Sequence, residues 1–143
     1  MFSKTCEYAI KIMVFIKTLE SKGEHIGLKL IAQEIDSPQA FTAKILQRLV
    51  RARLLRSVRG PHGGFKINQK HGPIYLRDIV VAIDGDGVFT KCVLGFETCS
   101  AEEPCAVHHK FTYIRDDLQR TLSDTALDEI AGIVASGSGA LKQ

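Results

Sequence analysis

The sequence predicts a mainly helical fold that carries one small β-hairpin. Apolar residues recur every three or four positions in several segments of the 143-residue chain, which is the spacing of amphipathic helices. Between two of these segments the pattern changes to alternation on either side of a glycine-rich turn, which indicates a hairpin. With 45% hydrophobic residues the chain can form a packed core, and its modest size favours dimerisation.

The first part of the predicted fold consists of three helices. We predict helices over residues 4–20, 28–35 and 38–53, with a tight turn at Pro38 between the last two. The third helix has an apolar face, and its other positions hold amides, a hydroxyl and cations that suit contacts with bases and phosphates. The candidates are Gln39, Thr42, Lys44, Gln47, Arg48 and Arg51. Two helices joined by a tight turn in this way suit a helix-turn-helix.

A basic hairpin follows the third helix. Residues 54–58 and 65–67 alternate like strands, and the turn between them is Arg59-Gly60-Pro61-His62-Gly63-Gly64. A hairpin at this point of a helix-turn-helix is a wing, whose Arg59 and His62 can reach the DNA backbone or minor groove. Together with a further helix over residues 74–83, these elements predict a winged helix-turn-helix DNA-binding domain over residues 1–87.

The charge distribution supports nucleic acid as the partner. The net charge is only +3, but residues 37–77 contain nine Lys or Arg and no Asp or Glu. The rest of the chain contains ten basic and sixteen acidic residues. A basic block in an otherwise acidic chain is typical of polyanion binding, and we therefore expect double-stranded DNA as a partner.

The C-terminal part predicts a dimerisation helix. Residues 106–135 contain a long helix and a short terminal helix, followed by a flexible tail over residues 136–143. The apolar stripe of the long helix can pack within one molecule or against a second copy. The stripe consists of Val107, Phe111, Ile114, Leu118 and Leu122.

A cysteine-rich loop over residues 88–109 precedes the long helix. Six residues separate Cys92 from Cys99, five separate Cys99 from Cys105, and His108 and His109 follow. Thiolates are soft ligands that select zinc or iron–sulfur clusters, so we predict a metal-binding loop. Buried structural thiols, a disulfide or a structural zinc remain alternatives. A thiol enzyme with Cys105 and His109 is a further alternative, but no oxyanion-hole motif accompanies it, so we predict a protein that is not an enzyme.

The compartment follows from the same composition. No apolar run reaches the ~18 residues of a membrane span, and the lysine-containing start of the chain does not have the pattern of a signal peptide. We therefore expect a cytoplasmic protein without a membrane partner, in which the thiols stay reduced.

The chain resembles the winged-helix iron–sulfur transcriptional regulators of the IscR/NsrR type over nearly its full length. The wing sequence SVRGPHGGF (57–65) is the most specific element of the resemblance. AFTAKILQRL (40–49) is similar to the recognition helix, and IYLRDIVVAIDG (74–85) to the helix after the wing. CVLGFETCSAEEPCAVHH (92–109) matches the cluster loop of the cluster-bearing members.

The resemblance implies a homodimeric repressor that binds an approximately palindromic operator and senses redox state, nitric oxide or iron–sulfur status. It implies a [2Fe–2S] or [4Fe–4S] cluster on Cys92, Cys99 and Cys105, with zinc as the alternative occupant. The implied fourth ligand is His108, or Glu7 supplied by the first helix of the partner, and His109 is a weaker candidate.

Two departures from the family pattern qualify these expectations. The first cysteine gap is one residue longer than in the two type members, which leaves the cluster type open. Arg53 stands where the family usually has glycine after the recognition helix. Because a left-handed helix cap disfavours side chains, the sequence predicts a differently shaped helix end there.

Overall fold

The computed structural model describes all 143 residues except the side chain of Ser21. The helices are α1 (Lys4–Thr18), α2 (Leu28–Glu34), α3 (Gln39–Arg51), α4 (Leu76–Asp84), α5 (Gly87–Thr90), α6 (His108–Asp124) and α7 (Leu127–Ala135). The strands β1 (Leu55–Val58) and β2 (Gly64–Ile67) form one antiparallel hairpin, and 3-10 turns occupy Glu20–Lys22 and Gln69–His71. The predicted fold class, mainly helical with a single hairpin, is confirmed.

Helix α1 lies at the centre of the core. Its Ile12 and Met13 side chains are fully buried, and the helix packs against α3, α4 and α7. Ser3 caps the helix by accepting a hydrogen bond from the backbone N–H of Cys6 at 3.0 Å. Both the backbone N–H and the hydroxyl of Ser3 donate to the carboxylate of Asp84. The start of α1 is therefore joined to the last residue of α4.

Helices α2 and α3 form the predicted helix-turn-helix. The backbone N–H of Ser37 donates to the Ala32 carbonyl at 2.9 Å, and Asp36 between them adopts a left-handed conformation with φ 54°. Helix α3 then buries Leu46 and Leu49 completely against the core. Burial of one face of α3 leaves the opposite face free for solvent or a ligand.

The end of α3 keeps a left-handed cap although Arg53 occupies the position of the expected glycine. Arg53 has φ 61°, its N–H donates to the Val50 carbonyl at 2.9 Å, and the N–H of Leu54 donates to the Leu49 carbonyl at 3.0 Å. This is the bonding pattern of a Schellman motif. The side-chain amide of Asn68 also donates to the Arg53 carbonyl at 2.8 Å. The prediction of a differently shaped helix end was therefore wrong, because these hydrogen bonds hold the arginine in the left-handed region.

The hairpin is attached to the segment that precedes α2. Ile26 and Phe65 exchange two backbone hydrogen bonds, each of 2.8 Å, so that residue 26 extends the two-stranded sheet. This close pairing requires glycine at position 64. A Cβ atom there would lie 2.5 Å from the carbonyl oxygen of Ile26, and the φ of +142° already favours glycine.

The C-terminal elements complete the core. Backbone hydrogen bonds join Leu76 to Thr125 and Leu127 to Ile74, which fixes the start of α7 beside the start of α4. The one-turn helix α5 was not predicted from the sequence. Leu141 packs against the core, so this part of the predicted flexible tail has a fixed contact. No described helix has both the length and the apolar character that a bilayer span needs.

Candidate functional site

The exposed face of α3 combines two cations and an amide. Lys44, Gln47 and Arg51 are exposed and recur at spacings of three and four, so they share one face of the helix. Ala40 lies on the same face one turn earlier, where its small side chain permits close approach. The opposite face is buried, so this basic stripe points away from the core. An exposed helix face of this kind fits the major groove of DNA.

Basic groups on the hairpin continue this surface. Arg59 and His62 are exposed at the tip, where the N–H of Gly63 donates to the carbonyl of Gly60 at 3.0 Å. Gln39 is exposed at the start of α3. Because residues 37–77 contain no acidic side chain, no carboxylate within this block opposes a polyanion.

Two predicted DNA-contacting residues are already engaged within the chain. Thr42 is fully buried, and its hydroxyl donates to the Pro38 carbonyl at 3.0 Å. Thr42 therefore stabilises the first turn of α3, and its inclusion among the DNA contacts was wrong. The Arg48 guanidinium donates to the carbonyl of Ile83 near the end of α4. Arg48 is exposed, and in this arrangement its guanidinium links α3 to α4.

In the cysteine loop, Cys92 is buried in a tight turn of the backbone. The N–H of Gly95 donates to the Cys92 carbonyl at 3.0 Å, which closes the turn. The pKa of the Cys92 thiol is lowered, first by the neighbouring backbone N–H of Phe96. The N–H groups of Leu94 and Gly95 and the thiol of Cys105 lower it further, whereas burial acts in the opposite direction. This sulfur is therefore surrounded by donors that stabilise a thiolate.

Cys99 is held at the start of α6. Its sulfur lies 3.3 Å from Nδ1 of His108, the buried first residue of the helix. It also accepts a hydrogen bond from the Arg115 guanidinium at 2.9 Å. The backbone N–H of His108 donates to the carbonyl of Cys105 at 3.0 Å. The backbone of the third cysteine is therefore bonded to the first residue of α6. Cys99 and His108 are thus in direct contact, and Cys105 lowers the pKa of the Cys92 thiol, so that the four candidate donors form two pairs.

The donor set suits an iron–sulfur cluster or zinc in chemical kind, since it comprises three thiols and one imidazole. Hydrogen bonds from N–H groups to sulfur, as at Cys92 and Cys99, are also those that tune cluster ligands. Among the described side chains, no three His, Cys, Asp or Glu groups already converge at metal-binding distance. A single metal ion held by three of these donors would therefore require them to move closer together.

The remaining candidate ligands lie outside these pairs. The exposed His109 places its ring 5.2 Å from that of His108, edge to face. Glu7 is exposed on α1 and forms an ion pair with Lys4 at 3.0 Å. Burial raises the pKa of the Cys6 thiol to about 12, so this cysteine is a core residue with little thiolate character.

The predicted dimerisation stripe divides into two parts. Leu122 is buried in the core of its own chain, and Leu118 packs against that core. Phe111 and Ile114 are exposed, at 37% and 58%, and Val107 is half-buried. Only the N-terminal half of the stripe is therefore free to meet a second molecule.

Sequence reasoning missed two residues that organise these regions. Arg115 lies seven positions after His108, and this spacing places both on one face of α6, which is a signal that was available. Asp84 directly follows the predicted helix over residues 74–83 and was assigned no role. Its two hydrogen bonds to Ser3 join residues 81 positions apart, and no local pattern predicts such a contact.

The helix-turn-helix, the hairpin that follows it and the exposed basic side chains that both carry define a DNA-binding winged-helix protein. The chain belongs to the Rrf2 family, described as an iron-dependent transcriptional regulator, whose profile matches residues 2–132. It is thus a helix-turn-helix transcriptional regulator, as predicted.

Individual relatives agree with this assignment. The chain is 25% identical over 123 residues to the HTH-type transcriptional regulator IscR of Xenorhabdus nematophila, covering 86% of this chain and 74% of that protein. The structure of CymR, the global cysteine regulator of B. subtilis, matches with a TM-score of 0.74 at 23% identity, over 92% of this chain and 96% of that one. The structure of T. potens IscR matches with a TM-score of 0.75 at 17% identity, over 98% and 92%. At these identities the two structures establish the fold alone, and they confirm the winged helix.

Proposed function

We propose that this chain is a homodimeric repressor whose operator affinity depends on an iron–sulfur cluster bound to Cys92, Cys99, Cys105 and His108. The observation that carries the proposal is the contact of 3.3 Å between the Cys99 sulfur and His108, and the lowered pKa of the Cys92 thiol supports it. This contact favours His108 over Glu7, which is engaged with Lys4, and over the exposed His109. The similarity to IscR proteins supports the same assignment.

The DNA-binding residues follow from exposure. Lys44, Gln47 and Arg51 on α3 are assigned to the major groove, with Gln39 at the start of the helix. Arg59 and His62 at the wing tip are assigned to the backbone or minor groove. A dimer places two such surfaces in symmetric positions, and the operator is then approximately palindromic.

The cluster ligands supply the sensing function. A bound iron–sulfur cluster supplies one-electron redox chemistry and reactivity toward oxidants and nitric oxide. The thiols and the imidazole hold it in the loop, and an imidazole ligand is more easily displaced than a thiolate. Physiological signals of this kind are redox state, nitric oxide and iron–sulfur supply.

The loop is connected to the DNA-binding helix through the end of α4. Arg48 on α3 donates to the Ile83 carbonyl, and the adjacent Asp84 accepts two hydrogen bonds from Ser3. The loop begins a few residues later. A rearrangement of the loop that moves this junction changes the position of α3, which gives the two states different operator affinities.

The cluster assignment is tested by anaerobic purification and absorption spectroscopy. Visible absorption bands with matching iron and sulfide content support it, whereas a colourless protein that contains zinc means a structural zinc site.

We expect the cluster-loaded and cluster-free proteins to differ in operator affinity by roughly 5- to 150-fold. Cys99→Ser should have the affinity of the cluster-free protein and should not respond to nitric oxide. Equal affinity in the two forms would refute sensing but leave DNA binding intact.

The wing assignment is tested with duplexes selected from a random library. We expect Arg59→Ala to weaken binding to every duplex and to reduce the slope of log affinity against log salt by about 1, because one phosphate contact is lost. Gln47→Ala should instead change the selected sequence. Lys142→Ala removes an equal charge outside the basic block and serves as the control. An unchanged salt slope in Arg59→Ala would place the wing away from DNA.

The dimer is tested on α6. Ile114→Glu places a carboxylate on the exposed apolar half of the stripe, which is costly if that surface is buried against a partner. We expect a monomer or an aggregate by light scattering. Gln119→Glu adds the same charge at an exposed position of the helix and should remain dimeric. If Ile114→Glu also stays dimeric, the interface lies elsewhere.

A further inference from the structure

Arg115 joins two points of the cysteine loop to α6. Its Nη1 donates to the carbonyl of Lys91 at 2.8 Å, and its Nη2 donates to the sulfur of Cys99 at 2.9 Å. Lys91 directly precedes Cys92, so the two bonds bring together the entrance and the middle of the loop. The same sulfur lies 3.3 Å from Nδ1 of His108.

The chemistry of arginine suits this position. The guanidinium remains charged at all physiological pH values, and its rigid fork of N–H groups can serve two acceptors at once. Within the described part of the chain the ion pairs involve other residues, so no carboxylate at contact distance neutralises Arg115. The positive charge is therefore directed at the sulfur of Cys99.

Two consequences follow for a group bound by this sulfur. Closure of the segment between residues 91 and 99 by hydrogen bonds reduces the conformational freedom that ligand binding would otherwise have to remove. A cationic donor at a ligand sulfur also favours the more negatively charged, reduced form of an iron–sulfur cluster, which raises its reduction potential.

We propose that Arg115 is a positioning residue that holds Cys99 next to His108 and raises the reduction potential of the cluster. The proposal rests on the proposed function, because the cluster is part of it. Arg115 does not bind the cluster itself, and it acts through the sulfur and through the carbonyl of Lys91.

The first test compares three variants in the cluster-loaded protein. Arg115→Met removes the charge and the donors, and Arg115→Lys keeps the charge but loses the fork. Arg120→Met removes an exposed arginine of the same helix that pairs with Asp117 and serves as the control. We expect Arg115→Met to shift the midpoint potential to more negative values and to lose the cluster to a chelator roughly 10- to 100-fold faster. In Arg115→Lys we expect a midpoint potential close to that of the wild type, because the charge remains. We expect its cluster to be lost to the chelator faster than in the wild type, because the fork of N–H donors is gone.

The second test uses protein without the cluster. A glutamyl endopeptidase cleaves after Glu97 and Glu102 within the loop, and none of the three substitutions changes these sites. We expect severalfold faster cleavage in Arg115→Met than in the wild type or in Arg120→Met. Circular dichroism checks folding, and Arg115→Lys replaces Arg115→Met if the latter unfolds.

The outcomes separate the two proposals. If the wild type binds no iron–sulfur cluster, the proposed function fails, but the cleavage rates still test whether Arg115 holds the loop. If the wild type binds the cluster and Arg115→Met matches Arg120→Met in potential, cluster loss and cleavage, the role of Arg115 is refuted. A change in cleavage without a change in potential would also overturn the electrostatic part and leave a purely structural contact.

Discussion

In the first 84 residues the helices bury most of their large apolar side chains, with Leu30 as an exposed exception, whereas the middle of the cysteine loop exposes three. Leu46 and Ile79 have no exposed surface, but Val93, Leu94 and Phe96 are 53%, 51% and 54% exposed. The winged helix is therefore held mainly by the hydrophobic effect. The loop is held by backbone turns, the Arg115 hydrogen bonds and the burial of Cys92.

This difference indicates how one chain can combine a stably packed DNA-binding domain with a responsive element. Removal of apolar area from water contributes about 25 cal/mol per Å², and a packed core has few alternative arrangements of similar energy. A loop with few buried contacts opens at a lower free energy than the surrounding fold. The loop can therefore rearrange without unfolding the core that α1, α3 and α4 form.

The largest expected effect comes from the core below the DNA-binding face. We expect Leu46→Ala to lower the free energy of unfolding by about 2–5 kcal/mol, because it leaves a cavity beneath α3. Phe96→Ala truncates a larger apolar side chain in the loop, but over half of that side chain is exposed. We expect it to cost less than about 1 kcal/mol in the cluster-free protein. Urea denaturation followed by circular dichroism measures both values, and equal losses would mean that the loop is packed as tightly as the core.

The sequence predicted the buried half of the molecule well because burial leaves a period in the sequence. The apolar positions of α3 recur every three or four residues, and the predicted helix over 38–53 differs from the observed Gln39–Arg51 by two residues or fewer at each end. The hairpin was predicted because Gly63 and Gly64 mark a turn. Helix α5 was missed, since its four residues are too few to show a period.

The site could be predicted only in part. Thr42 was placed on the DNA-facing side although the spacing of Ile45, Leu46 and Leu49 puts it on the buried face. The contacts of Arg48 with the Ile83 carbonyl and of Arg115 with Cys99 join distant parts of the chain. The spacing of His108 and Arg115 indicated a shared face of α6, but it did not indicate that Arg115 contacts Cys99. The role of the cysteines came from a family resemblance, because their spacing is equally compatible with zinc.

A smaller effect on the free energy of unfolding is expected at the end of α4, where the winged helix meets the segment that leads into the cysteine loop. Asp84 ends α4 and accepts two hydrogen bonds from Ser3 at the start of α1. We expect Asp84→Ala to lower the free energy of unfolding by about 1–2 kcal/mol, since an N-cap residue loses its support and two donors lose their acceptor.

The control for this boundary is Asp86→Ala, which removes a carboxylate two residues later. Its described contacts are made through the backbone carbonyl, so we expect a change below about 0.5 kcal/mol. Urea denaturation of both variants at low and high salt distinguishes the hydrogen bonds from a general charge effect. Equal losses in the free energy of unfolding of the two variants would show that Asp84 acts only through its charge. The hydrogen bonds of Asp84 would then not stabilise the start of α1.

The smallest expected effect is a gain in stability at the end of α3. Arg53 adopts a left-handed conformation that costs a residue with a side chain roughly 1–2 kcal/mol, and glycine recovers part of this while losing more backbone entropy on folding. We expect Arg53→Gly to raise the free energy of unfolding by about 0.5–1 kcal/mol. Arg51→Gly is the matched control, because it removes the same charge two residues earlier from a right-handed helical position and should be destabilising. Both variants are measured by thermal and urea denaturation. If Arg53→Gly is destabilising instead, contacts of the arginine side chain outweigh the backbone strain, and the cap belongs with the regions held by polar contacts.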